Sequence, residues 1–105
     1  MMPFSLNALD RVEILTLQDN FIDMTTTDNS PLIYRAGTRE EGKPRPSILA
    51  EHGFSALVRT TTAGRTRTML FDFGFSETGA AYNARALEVP LAEVEAVALS
   101  HGHGD

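Results

Sequence analysis

Residues 94–105 read VEAVALSHGHGD, and this stretch decides what the chain can be. Glu95 to Leu99, EAVAL, apolar from Ala96 onward, reads as a buried strand. It leads straight into Ser100-His101-Gly102-His103-Gly104-Asp105. At a strand end residues i and i+2 point to one face, so His101 and His103 can aim their imidazoles at one point while Gly102 faces away. Gly102 and Gly104 supply the backbone freedom a chain needs to turn sharply around an ion. Asp105 adds an oxygen ligand, or an acceptor that could orient a bound water in catalysis. A polar loop with two solvated histidines is the plainer alternative, and the preceding strand, the glycines and the aspartate together weigh against it.

Upstream, EHGFSALVRTTTAGRTRTMLFDFG contains two strand-like runs, Phe54 to Thr60 and Thr66 to Phe73, with Gly64 placed for a tight hairpin turn. Ser76 is placed to cap a helix running to about Leu87, with Glu77 in its first turn. Ala80, Ala81, Ala84 and Leu87 give that helix a small-residue face suited to a sheet. Pro90 ends the region, and LAEV makes a short turn before the last strand. The resulting fold class is α/β: a mixed sheet with a hairpin and one crossover helix. If Met69–Phe71 and Val97–Leu99 run parallel, LFDFG and SHGHGD emerge at the same sheet edge, and the start of the hairpin, Glu51-His52-Gly53, lies there too. Ligands of open α/β sheets gather at such edges. His52 is therefore a candidate for the rim of a site, as are Asp19 and Asn20 at the end of a first strand, Val12 to Leu17. Turn chemistry and strand capping would explain these three residues equally well.

Between them, residues 21–47 carry prolines, glycines and mixed charges with little apolar periodicity, and form a long loop that is either a lid or a linker. Arg35, Arg39, Lys43 and Arg45 could contact an anionic group there, although interspersed Glu40 and Glu41 fit a solvated loop.

The 105 residues fit one small domain, able to bury about 65% of its unfolded surface. With no cysteine, any metal must be held by His, Asp or Glu. A net charge of -5 argues against a general nucleic-acid binder. The N-terminus lacks the features of a secretory signal and no run reaches about 18 apolar residues, so the expected setting is cytoplasmic, without a membrane, and the expected partner a small-molecule substrate.

ALSHGHGD resembles the opening of the His-x-His-x-Asp-His motif of the metallo-β-lactamase superfamily, and LFDFG resembles the strand that precedes it in that fold. AEHGFSALV, the Ser-led helix with Asn83-Ala84, and VEAVALSHGHGD together are similar to the branch related to dihydropterin-linked ribofuranosylaminobenzene phosphate synthases, a group of metal-dependent hydrolases. The resemblance spans about Val12 to Asp105. It implies the N-terminal half of an αββα sandwich, a partial domain whose C-terminal half is missing and would be its partner, since the motif's final histidine would be the next residue. It also implies two divalent ions, with zinc the leading choice and manganese or iron acceptable. His101 and His103 would ligate the first ion and Asp105 the second, while Asp72 would be a buried aspartate holding the metal loop. The implied reaction is hydrolysis of a small ester, phosphoester or related substrate by a metal-activated water. The 105 residues alone are expected to be inactive.

An amidohydrolase-like barrel and a cupin also use H-x-H, but the helix after Ser76 does not suit a cupin, and the barrel usually places its pair on an early strand. From a different class, the chain could be a non-catalytic binding or assembly module, or one chain of a split two-chain protein.

Overall fold

A computed structural model describes residues 3–26, 28–37 and 39–102 of the chain. Strand β1, Arg11–Gln18, is followed by the short strands β2, Arg39–Glu40, and β3, Lys43–Pro44. Then come β4, Ser55–Thr62, and β5, Arg65–Phe71, before helix α1, Gly79–Ala86, a single 3₁₀ turn at Leu91–Glu93, and β6, Val94–Ala98. The main sheet has the order β1-β4-β5-β6, and β2 and β3 make a separate small hairpin inside the long loop. Both β1–β4 and β4–β5 are antiparallel, whereas β5–β6 is parallel, so α1 is the crossover helix of a mixed sheet.

Local chemistry explains these boundaries. Ala63 and Gly64 both adopt positive φ, 50° and 75°, the geometry of a two-residue hairpin loop whose twist matches its strands. Asp10 Oδ2 accepts the Ala63 N–H at 2.8 Å and secures this turn to β1. The helix starts at Gly79 with Thr78 at its cap position, two residues after the expected cap at Ser76, and its first turn holds no acid. Ser76 Oγ instead accepts the Gly79 N–H at 3.0 Å from outside the helix. Strand β5 ends at Phe71, short of the expected Phe73, because Asp72 turns to φ 52°. Aspartate tolerates that left-handed conformation better than most residues.

On the sheet side facing α1, Leu17 and Leu57 are buried against Ala84, with Leu15, Leu70, Leu87 and Val89 around them. Each fully buried leucine contributes about 1.5–3 kcal/mol, so this small cluster holds the helix on β1. Asn83, fully buried, replaces the expected Ala80 and Ala81 at the centre of the helix contact.

The other side of the sheet is different. Pairing places Ile14, Val58, Met69 and Ala96 in one row across it, and Thr16, Ala56, Phe71 and Ala98 in the next. Among the described residues α1 is the only element that packs on the sheet to any extent, and it packs on the opposite side. Ile14 is 69% exposed and Val12 53%. Strand β6 is an edge strand with Val97 exposed, as is Leu99 just beyond its end, in contrast to the buried strand expected from EAVAL. It pairs with β5 alone, and Val94 at its start packs against the Leu17, Leu57 and Ala84 cluster. The accessible surface is 8187 Å², against about 5,800 Å² for a folded monomer of this mass. The radius of gyration is 15.5 Å, against about 13 Å for a compact domain of this length. Exposed residues before β1, such as Phe4 and Leu6, on the sheet, such as Ile14, and in the connection from β1 to β4, such as Leu32 and Tyr34, contribute to that surface.

Candidate functional site

Asp72 ties three strands together at one end of the sheet. Its N–H donates to Ala98 O at 2.9 Å, prolonging the β5–β6 ladder. Its carbonyl accepts the buried Ser55 hydroxyl at 2.8 Å, which joins it to β4. Its carboxylate accepts the Ser100 N–H at 2.7 Å, across 28 residues of sequence. The side chain is buried, and its pKa lies below the ordinary carboxylate value because hydrogen bonding from the Ser100 hydroxyl, then from the Ser100 N–H, favours the ionised form.

Ser100 in turn meets His101. Ser100 Oγ and His101 Nδ1 lie 2.7 Å apart, which orients the imidazole directly after β6. His101 is exposed. The other two residues of the expected metal group, His103 and Asp105, lie outside the described residues. Among the described residues no group of three His, Asp or Glu is close enough to hold an ion.

The sheet topology puts the start of β4 at the same end as the close of β5 and β6, so His52 precedes β4 at the end that carries Asp72 and His101. The His52 ring makes an edge contact with Phe75, centroids 5.7 Å apart. Asp19 and Asn20 sit beside this segment: Asp19 O accepts the Glu51 N–H at 3.0 Å and Asn20 Oδ1 accepts the Gly53 N–H at 2.9 Å. Gly53, at φ 106°, lies so close to the turn after β5 that an added Cβ would stand 2.8 Å from Phe75 N. The structure therefore brings together two groups at one sheet end, Asp72 with His101 and Asp19 with Asn20 and His52.

Sequence reasoning places Glu51 at this edge and Asn83 in the family resemblance, but gives no role to either or to Gln18. The Glu51 carboxylate accepts both the Ser76 N–H at 2.8 Å and the Ser76 hydroxyl at 2.9 Å, supplying the negative charge near the helix start that Glu77 was expected to give. Buried Gln18 donates to Glu51 O at 3.3 Å and accepts from Asn83 Nδ2 at 3.3 Å. Asn83 Nδ2 also donates to Leu17 O at 2.7 Å and to Leu49 O at 2.9 Å, and its Oδ1 accepts the Leu49 N–H at 2.9 Å. An acid without a helical neighbour in AEHG was the available signal for Glu51. The hydrogen-bonding roles of Gln18 and Asn83 carry none, because their partners are one another and backbone groups mostly distant in sequence.

In the long loop, Arg35 pairs with Asp28, Arg45 with Glu40, and Arg39 donates to Gly42 O at 3.0 Å. Comparison with protein-family models and with curated proteins finds no match to this chain.

Proposed function

We propose that this chain is the N-terminal half of an αββα, metallo-β-lactamase-like hydrolase, with His101, His103 and Asp105 contributing to a site for two divalent ions. The observation that carries this reading is the Asp72 carboxylate on the Ser100 N–H, which anchors the loop following β6 at the sheet end where two further strand ends meet. Metal-ligating histidines are typically oriented by a hydrogen bond to their second ring nitrogen, and the Ser100–His101 contact is of that kind. Bound ions would supply a hydroxide nucleophile at neutral pH and stabilise the developing oxyanion. The chain's own residues would hold and orient: Asp72 the loop backbone, Ser100 the His101 ring, and Asp105 a water as well as an ion. His52, Asp19 and Asn20 would form the rim that meets a small ester or phosphoester.

The sheet face that no helix covers among the described residues, with Ile14 and Val12 exposed on it, supports the sandwich part of the proposal, since it has the character of a surface that a second sheet would cover. The same face favours a second reading, a non-catalytic assembly module or one chain of a two-chain protein. Sequencing past the Asp105 codon and purifying the chain from its source discriminate between them. A downstream reading frame whose product restores zinc- or manganese-dependent ester hydrolysis supports the hydrolase. An immediate stop codon, with a co-purifying polypeptide and no metal-dependent turnover, supports the assembly module instead.

A further inference from the structure

Asp72, Ser100 and His101 form a chain of contacts along which the hydrogens can be counted. Asp72 is 5% exposed, and its carboxylate accepts the Ser100 N–H at 2.7 Å. The Ser100 hydroxyl bonds to the same carboxylate, and its Oγ lies 2.7 Å from His101 Nδ1. A hydroxyl has one hydrogen to give, an ionised carboxylate has none, and a neutral imidazole has one on either Nδ1 or Nε2. The Ser100 hydrogen can therefore go to Asp72 or to His101, and not to both.

The competition is uneven. A hydrogen bond to an ionised acceptor is roughly twice as strong as one between neutral groups. The carboxylate is also buried, where a lost donor is not replaced by water, whereas His101 is exposed. Ser100 thus gives its hydrogen to Asp72 and turns an oxygen lone pair toward Nδ1. Two lone pairs at 2.7 Å would repel, so the hydrogen between Oγ and Nδ1 belongs to the ring. The backbone bond from Ser100 to Asp72 fixes the loop in the position where this order holds.

We propose that Asp72 acts through the Ser100 hydroxyl to hold neutral His101 in the Nδ1–H tautomer, leaving the ring's lone pair on Nε2 as the one offered to an ion. Only the last clause rests on the hydrolase reading above; the order of hydrogens holds without any metal. Ligating histidines commonly donate their second ring N–H to a carboxylate, a carbonyl or water. Here a serine hydroxyl stands between ring and carboxylate, so Asp72 is a positioning residue for His101 as well as the anchor of the loop backbone. A chain of hydrogen bonds ending on a carboxylate polarises along its length, which raises the basicity of Nε2.

Long-range ¹H–¹⁵N correlation spectra of the labelled chain read the tautomer directly, with EDTA present and at about pH 8.5, where an ordinary histidine is neutral. The two ring nitrogens differ widely in ¹⁵N shift according to which holds the hydrogen, and single replacements assign the three histidines. The expected result is His101 predominantly Nδ1–H. Ser100→Ala should lower the ratio of Nδ1–H to Nε2–H by about ten-fold, the effect of one net hydrogen bond. Asp72→Asn, whose amide can donate to Ser100 Oγ, should lower it too, and Ser100→Thr, which keeps the hydroxyl, should preserve it. A merely structural role for Ser100 and Asp72 would leave the ratio unmoved. Nε2–H as the main wild-type form, or a ratio indifferent to both Ser100→Ala and Asp72→Asn, would overturn the proposal. If a variant does not fold, the wild-type spectrum decides alone. Cobalt binding answers separately for the hydrolase reading: an Nδ1–H ring with no affinity for cobalt would remove the ion and leave the hydrogen-bond chain standing.

Discussion

The carboxylate of Asp72 accepts the backbone N–H of Ser100 at 2.7 Å, so the turn after β5 and the loop after β6 are one hydrogen-bonded unit. Substituting Asp72 with Ala leaves the Ser100 N–H without its acceptor and should lower the urea midpoint clearly. Asp72→Asn keeps an acceptor oxygen and should lower it less. Equal losses for the two variants would show that the acceptor atom is not what matters.

The same contact carries a pH dependence. The Asp72 carboxyl is held below its ordinary value in the folded state, chiefly by hydrogen bonding from Ser100. A depressed folded pKa contributes stability that is present above the unfolded value, about 3.9, and is lost as pH falls through the folded one. Wild type should therefore exceed Asp72→Asn in stability by a constant margin from pH 5 to 7, and the margin should shrink on acidification below about pH 4. Thermal melts of both proteins across that range measure it, and a margin that widens in acid would contradict the assignment.

Asn83 joins four groups that no sequence pattern links. Replacing it with Ala orphans the Leu49 N–H and removes donors from Leu17 O and Leu49 O. The expected cost is about 1–3 kcal/mol, the penalty for a buried group left unpaired, read from equilibrium denaturation. Asn83→Asp should also destabilise, since a carboxylate facing those two carbonyls cannot donate.

Much of the architecture was legible because it rests on local signals. Thr62-Ala63-Gly64-Arg65 announces its hairpin through Gly64, and the strand, helix, strand order fixes the parallel pairing of β5 with β6. What was not legible depends on partners far along the chain. The helix begins at Gly79 because Glu51, 25 residues upstream of Ser76, holds the segment before it. Asp72 leaves the strand because its three hydrogen bonds to Ser55, Ala98 and Ser100 select a left-handed turn. EAVAL has the composition of a covered strand, and only the sheet order reveals that β6 is an edge.

The two faces of the sheet should answer differently to truncation. Leu57, 1% exposed against the helix, should cost about 2–5 kcal/mol on change to Ala. Ile14, on the open face and 69% exposed, should shift stability by no more than about 0.5 kcal/mol on change to Thr. A large loss from Ile14→Thr that fades on dilution would mean that something covers this face in solution. Sedimentation of the wild type would then show whether it is a second copy.

Metal binding gives the sharpest check on the proposed hydrolase. A catalytic zinc takes three protein ligands and a water, and a two-metal site needs more donors than His101, His103 and Asp105 provide. The 105-residue chain should therefore bind zinc or cobalt weakly, and without measurable turnover of ester or phosphoester substrates. Cobalt titration followed by visible absorption should still register His101: His101→Ala ought to lower the affinity by about ten-fold or more. Ser100→Ala, which removes the hydroxyl beside Nδ1 together with its hydrogen bond to Asp72 and leaves the backbone bond, ought to weaken it by a smaller factor, with a modest loss of thermal stability. Cobalt affinity indifferent to both substitutions would place the ion elsewhere and remove the loop after β6 from the candidate site.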